Sequence, residues 1–165
     1  KQMTTRNNIG LTLYGVSGNP ATNNKAGMEA LTFVQLLKAQ ELPIFGVTHA
    51  NIDVEDLGTG FTSGVKGMAT GNDTTFLFHG PGTDTGMATA IVAAGGQGGL
   101  YSLKIVRGSG TDSGNGPAPV AGDVVQYAQG YLHTLALNPK DGTSNEGATI
   151  SFKQNDATVD DVEPS

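Results

Sequence analysis

The chain has 165 residues, a formal charge of −6 from 15 acidic and 9 basic side chains, 25 glycines, and neither Cys nor Trp. That length fits one domain able to bury about 70% of its unfolded surface, so no staple is needed, and the missing Cys excludes disulfides, thiolate metal sites and thiol nucleophiles. The acidic balance excludes tight phosphate binding, which needs Lys and Arg; it suits plain solubility, or a surface that nucleic acid passes without sticking.

Residues 9–14 alternate, with Ile9, Leu11 and Leu13 against Thr12 and Tyr14, which predicts a half-buried strand. A polar, turn-rich stretch over residues 17–25 follows. Residues 31–40 place Leu31, Phe33, Gln35 and Leu37 at alternate positions, and Pro43 limits the run, so they read as one strand. Residues 46–72 show no clear period: Asp53, Glu55 and Asp56 cluster there, and Gly58, Gly60, Gly64, Gly67 and Gly71 punctuate the segment. A structureless loop of this length usually has a job, and the functional reading, an arm that docks on a neighbouring subunit, stands beside a loose surface excursion.

Residues 73–79 put Thr74, Phe76 and Phe78 on one face of a strand that Gly80, Pro81 and Gly82 end. Thr83 or Asp84 then caps a helix over 84–94, whose stripe is Met87, Ala90, Ile91 and Ala94, and Gly95 and Gly96 stop it with a left-handed Gly expected past the end. So short a helix must lie across a sheet. Residues 100–107 alternate Tyr101, Leu103 and Ile105 against Ser102 and Lys104. Residues 108–122 have the composition of a flexible loop. Residues 123–137 form an unusually long strand in which Gly130 marks a bend or bulge. A turn at 138–142 and a strand at 147–154 complete the series, and residues 155–165 read as a solvated acidic tail. The chain opens on Lys1 without an initiator Met, which predicts trimming or processing. No apolar run approaches the roughly 20 residues that span a bilayer, and no signal for membrane insertion is seen.

Obvious chemistry is missing from the pattern. His49, His79 and His133 are not at metal-ligand spacing. Asp53, Glu55 and Asp56 do not follow the oxygen-ligand pattern of a Ca²⁺ loop. The glycines of 95–99 follow a helix instead of opening one, so they are poorly placed for phosphate. No Ser stands in a nucleophile setting, and no nucleophile–base pair can be named. An enzyme is therefore not expected, nor a cofactor, nor a metal.

The order of these elements resembles a family. Residues 34–56, with Ile52-Asp53-Val54-Glu55 in the place of an acidic "IDVT"-like stretch, resemble the major tail tube proteins of long-tailed, siphovirus-type bacteriophages. Thr75-Phe76-Leu77-Phe78, then Thr83-Asp84-Thr85-Gly86, resembles that family's strand and acid-capped helix. Gly130-Tyr131-Leu132 and Thr149-Ile150-Ser151-Phe152-Lys153 resemble two later strands. Tube proteins of contractile phages and of type VI secretion share the architecture. The resemblance implies a mainly β fold, a sandwich or barrel with a long hairpin and one short helix, as a single domain over 1–154 with the tail 155–165. It implies a structural virion protein whose protomers form stacked hexameric rings, a tail tube that conducts DNA during ejection. Its partners would be itself, tape measure protein, and tail terminator and baseplate proteins; DNA would pass without specific binding. Location would be the virion after assembly in the host cytoplasm. Asn51, Ile52, Asp53, Val54, Glu55, Asp56 and Phe61 would form an arm between rings. Ser102, Lys104, Gln126, Gln129 and Tyr131 would line the inner wall. Two other readings stand beside it: a fimbrial or capsid decoration subunit, and a β-sandwich binding module with Ca²⁺ near Asp53–Asp56.

Overall fold

The computed structural model describes residues 10–79, 84–137 and 147–164. Among them the elements run β1 (Leu11–Ser17), α1 (Lys25–Glu29), β2 (Val34–Leu36), β3 (Ala39–Glu41), β4 (Val47–Asp56), β5 (Phe61–Gly71), β6 (Asp73–His79), α2 (Thr85–Gly95), β7 (Leu100–Arg107), β8 (Val124–Leu137), β9 (Gly147–Gln154) and β10 (Val159–Val162). The chain is mainly β, and every strand pairing is antiparallel. Ile9, the strand stop at Gly80–Gly82, Thr83 and the 138–142 turn lie outside the described residues.

The main sheet runs β2-β1-β7-β8-β9-β6-β3. Six intervals of ~4.8 Å would hold the end strands of a flat sheet about 29 Å apart. Yet β2 and β3 are joined by Leu37 and Lys38 alone, a link that spans at most about 11 Å between its flanking Cα atoms. The sheet must therefore curl until its ends meet, as a barrel does. The corner is sharp: Lys38 has φ 57°, the left-handed region, and its carbonyl accepts from the His79 amide at 3.2 Å. The expected single strand over 31–40 is thus two short strands at opposite ends of the path, split by that corner.

Leu13, Leu36, Phe76, Phe78, Leu103, Leu132, Ile150 and Phe152 fill the interior together with Met87, Ala90 and Ala94 of α2. Helix α2 starts where the Asp84 carboxylate accepts from the Met87 amide at 2.9 Å, capping an otherwise orphan donor. It lies across β1, β2, β8 and β9. Its small face permits this, since a Cβ on Gly86 would stand 2.3 Å from the Gln35 carbonyl oxygen. The left-handed glycine past α2 is Gly98, φ 84°, while Gly96 is extended. A second cluster, Met28, Val106, Val125 and Tyr127, packs on the opposite face of β7 and β8 under residues 19–33. Both faces of β7 are consequently covered, which is why Ser102 and Lys104 are buried as well as Leu103.

Two segments expected as irregular are built. In the 108–122 loop the Asp112 carboxylate accepts from the amides of Gly114 and Gly116, at 2.7 and 3.0 Å. Asp123, expected as the start of a strand, instead clasps the loop, accepting from Ser109 and Val120 amides at 2.9 and 2.7 Å. The acidic end, expected as a solvated tail, is strand β10, paired with β8 from Val159↔Tyr127 to Val162↔Val124. It prolongs the edge of β8 that β9 occupies further on. Gly130 is not the bulge; the register slip lies between Leu132 and Thr134. Gly130 serves close approach instead, since a Cβ there would stand 1.9 Å from the Lys153 carbonyl oxygen.

Candidate functional site

Residues 46–72 form a hairpin that stands apart from the main sheet. Strand β4 has 10 residues and β5 has 11, so the arm is about 33 Å long at ~3.3 Å per residue. Its turn is made locally: the Asp56 carboxylate accepts from the Gly58 amide at 2.8 Å, the Asp56 carbonyl accepts from Gly60 at 2.9 Å, and Gly60 takes φ 65°. The Gly58 amide, with Thr59 behind it, holds the Asp56 carboxyl below its ordinary range. The expected loop is thus an ordered hairpin.

Register sorts the arm's side chains. Ile52 pairs Val65, Val54 pairs Ser63, and Asp56 pairs Phe61; directly opposed residues share a face. Ile52, Val54, Phe61 and Val65 therefore make one apolar face. Asn51, Asp53 and Glu55, opposite Lys66, Gly64 and Thr62, make the polar one. All four apolar side chains are bare, with Phe61 79% exposed. An isolated two-stranded hairpin is marginal in water, and these four side chains leave one side of it apolar and exposed. The three acids of the Ca²⁺ reading diverge, Asp56 facing away from Asp53 and Glu55. Among the described residues no three His, Cys, Asp or Glu side chains gather to hold a metal.

The root of the arm is tied to β9. The Gly46 amide donates to the buried Gln154 Oε1 at 2.9 Å, the Asn72 amide to the Gly46 carbonyl at 2.9 Å, and the Gln154 amide to the Asn72 carbonyl at 2.9 Å. Lys153 Nζ donates to the Gly71 carbonyl at 2.8 Å. Beside it, His133 Nε2 lies 2.9 Å from Asp73 Oδ1. Sequence reasoning singled out residues 46–72 but not the root of their hairpin, because a lone Gln at a strand end carries no pattern.

The inner-wall residues divide. Ser102 pairs Gln129 and Lys104 pairs Tyr127, so Ser102, Lys104, Gln129 and Tyr131 share a face; Gln126 pairs Ile105 and lies on the other. Ser102 and Lys104 are covered within the protomer. Ser102 donates to the Gly18 carbonyl at 2.9 Å. The Lys104 ammonium lies 2.7 Å from Glu163 Oε2, beneath the rings of Tyr14, Phe33 and Tyr127 at 5.5, 5.9 and 5.8 Å. A wall role for these two would need that cover removed. Gln129, half-buried, donates to Asp156 at 3.1 Å, Gln126 donates to Asp160 at 2.8 Å, and the Tyr131 and His133 rings meet at 5.8 Å, tilted by 57°. Asp161, 2.8 Å from Lys25 Nζ, is held below its ordinary carboxylate range mainly by that bond.

No family model matches the chain, and no curated protein matches it. Solved structures do. The tube-terminating cap of the anti-feeding prophage superposes with a TM-score of 0.58 at 15% identity, over 99% of this chain and 97% of that one. The SPP1 tail tube gives 0.59 at 13%, over 94% and 78%. The PVC sheath–tube complex of an extracellular contractile injection system, in its extended state, gives 0.56 at 12%, over 92% and 88%. The chain has the tail tube fold.

Proposed function

We propose that the chain is a structural subunit that assembles with copies of itself into stacked hexameric rings, the tail tube of a phage, through which DNA leaves during ejection. The observation that carries this is the arm: on a body with the tail tube fold, a hairpin of ten and eleven residues stands clear of the main sheet with Ile52, Val54, Phe61 and Val65 bare. Its occupant is a second copy of the chain. A side chain that must be buried in an assembly is left exposed in the lone subunit. Asn51, Asp53, Glu55 and Asp56 ride on the same hairpin and form its polar side and turn. Gln129 and Tyr131 are the residues of the β8 face left to line an inner wall.

Tape measure, terminator and baseplate proteins are the further partners of this reading, the virion its location, and host cytoplasm its site of assembly. It asks no catalysis and no cofactor of the chain. The fold would supply geometry, and the net negative charge weak repulsion of passing DNA.

Negative-stain electron microscopy of the purified protein at rising concentration tests it. Hollow tubes or stacked six-fold rings are expected from the wild type and not from Phe61→Ser or Ile52→Ser. Lumen-free fibres, or monomers at every concentration, would overturn it.

A further inference from the structure

Gln154 is 1% exposed, a polar side chain enclosed by protein on all sides. Its carboxamide is used at both ends. Oε1 accepts from Gly46, the residue before β4. Nε2 donates to the Asp156 carbonyl at 2.6 Å and to Thr158 Oγ1 at 3.1 Å, within the turn that leads into β10. The backbone amide of Gln154 donates to the Asn72 carbonyl just beyond β5. Gly71 lets the chains meet this closely, since a Cβ there would stand 2.1 Å from the Gln154 carbonyl oxygen. Both roots of the arm and the root of the C-terminal strand therefore converge on one residue.

A carboxamide is planar, and its oxygen and nitrogen turn together. Loss of the two acceptors on the β10 side frees the plane to rotate, and rotation withdraws the oxygen from Gly46. A buried amide with unmet donors is costly, so the group has reason to rotate toward whatever partners remain. β10 is itself held far from this point, by the pair Lys104–Glu163 at 2.7 Å and the pair Lys25–Asp161 at 2.8 Å.

We propose that Gln154 is a positioning residue that couples docking of the C-terminal strand on β8 to the set of the projecting arm. A subunit whose β10 is docked holds its arm root closed; one whose β10 is displaced lets the root open. The relevance of this to assembly rests on the arm being the docking element. The coupling itself is a property of the single subunit, and it places control of the arm in the last ten residues of the described chain.

The test is amide hydrogen exchange by NMR on the soluble subunit, read at Gly46 and Asn72, with Leu103 in the core as reference. Glu163→Gln loosens β10 at its far end, and Thr158→Val removes one acceptor, and neither touches the arm. A chain ended after Asn155 removes β10 outright. Each is expected to speed exchange at Gly46 by about tenfold beyond any change at Leu103, which reports the stability of the whole fold. Exchange at Gly46 that rises no more than at Leu103 in the truncated chain, or in Glu163→Gln when Val159–Val162 exchange faster, would overturn the coupling. Should Gly46 respond while Phe61→Ser still builds tubes, the coupling stands and the arm reading falls.

Discussion

The Lys104 ammonium and the Glu163 carboxylate meet at 2.7 Å inside the protomer, their side chains 10% and 18% exposed, beneath three aromatic rings. The tail is thereby fastened by a charge pair in a place where neither partner is well hydrated. Removing one charge strands the other. Lys104→Met should cost about 2–3 kcal/mol, less than the ~3–5 of a fully enclosed pair because some solvent remains. Adding Glu163→Gln to it should restore much of the loss, since no charge is then left alone. Urea unfolding of the two singles and the double checks this; a double as unstable as the sum of the singles would sink it.

Docking of β10 should depend on pH at the extremes. Asp161 is held below its ordinary 3.8 by the Lys25 hydrogen bond. A depressed carboxyl contributes stability in full above the unfolded value, and loses it as pH falls through the lower folded one. Lys25 is raised above 10.5 by the same bond, so its share holds below that value and is lost as pH rises through the raised one. The Val159 amide shift should stay flat between these limits and move outside them. In Lys25→Met the acid limb should shift upward; an unmoved limb would count against the pair.

The corner at Lys38 is strained, with φ 57°. A non-glycine residue in that region costs about 1–2 kcal/mol, whereas a glycine adds ~0.4–1 kcal/mol of freedom to the unfolded chain. Lys38→Gly should therefore raise stability by about 0.5–1 kcal/mol by these magnitudes, and Lys38→Val should lower it. Thermal melts would show two shifts of opposite sign.

Glycine-to-alanine changes should also divide by site. At Gly130 the new Cβ would stand 1.9 Å from the Lys153 backbone oxygen, which cannot swing aside as a side-chain tip can. A loss of about 3 kcal/mol is expected there. At Gly95, the last residue of α2, no atom lies within 4 Å, so alanine should gain about 0.5 kcal/mol. Equal effects at both positions in denaturant unfolding would contradict this.

Much of the body was legible because its strands have one clear inner face. The alternation of Phe76 and Phe78, or of Tyr101 and Leu103, reports burial directly, and the expected bounds of β6, β7 and β9 match those observed. The arm lacked that signal: both its faces meet solvent, so Ile52 and Val54 alternate with Asp53 and Glu55 without a core to explain them. α1 is five residues long and depends on the Asn24 cap, too short for a period to show. β10 reads as acid because the partners of Asp161 and Glu163 are Lys25 and Lys104, far away in sequence. The split of residues 31–40 turns on one positive φ at a lysine, which composition does not announce.

The short link between β2 and β3 has a consequence for handling the purified protein. The outermost strands of the main sheet are three residues long, too brief to template the growth of cross-β aggregates. The hairpin offers ten and eleven. Where tube assembly is blocked, cross-β growth should therefore begin at the hairpin, and a charged residue on its outer edge should keep such stocks clear.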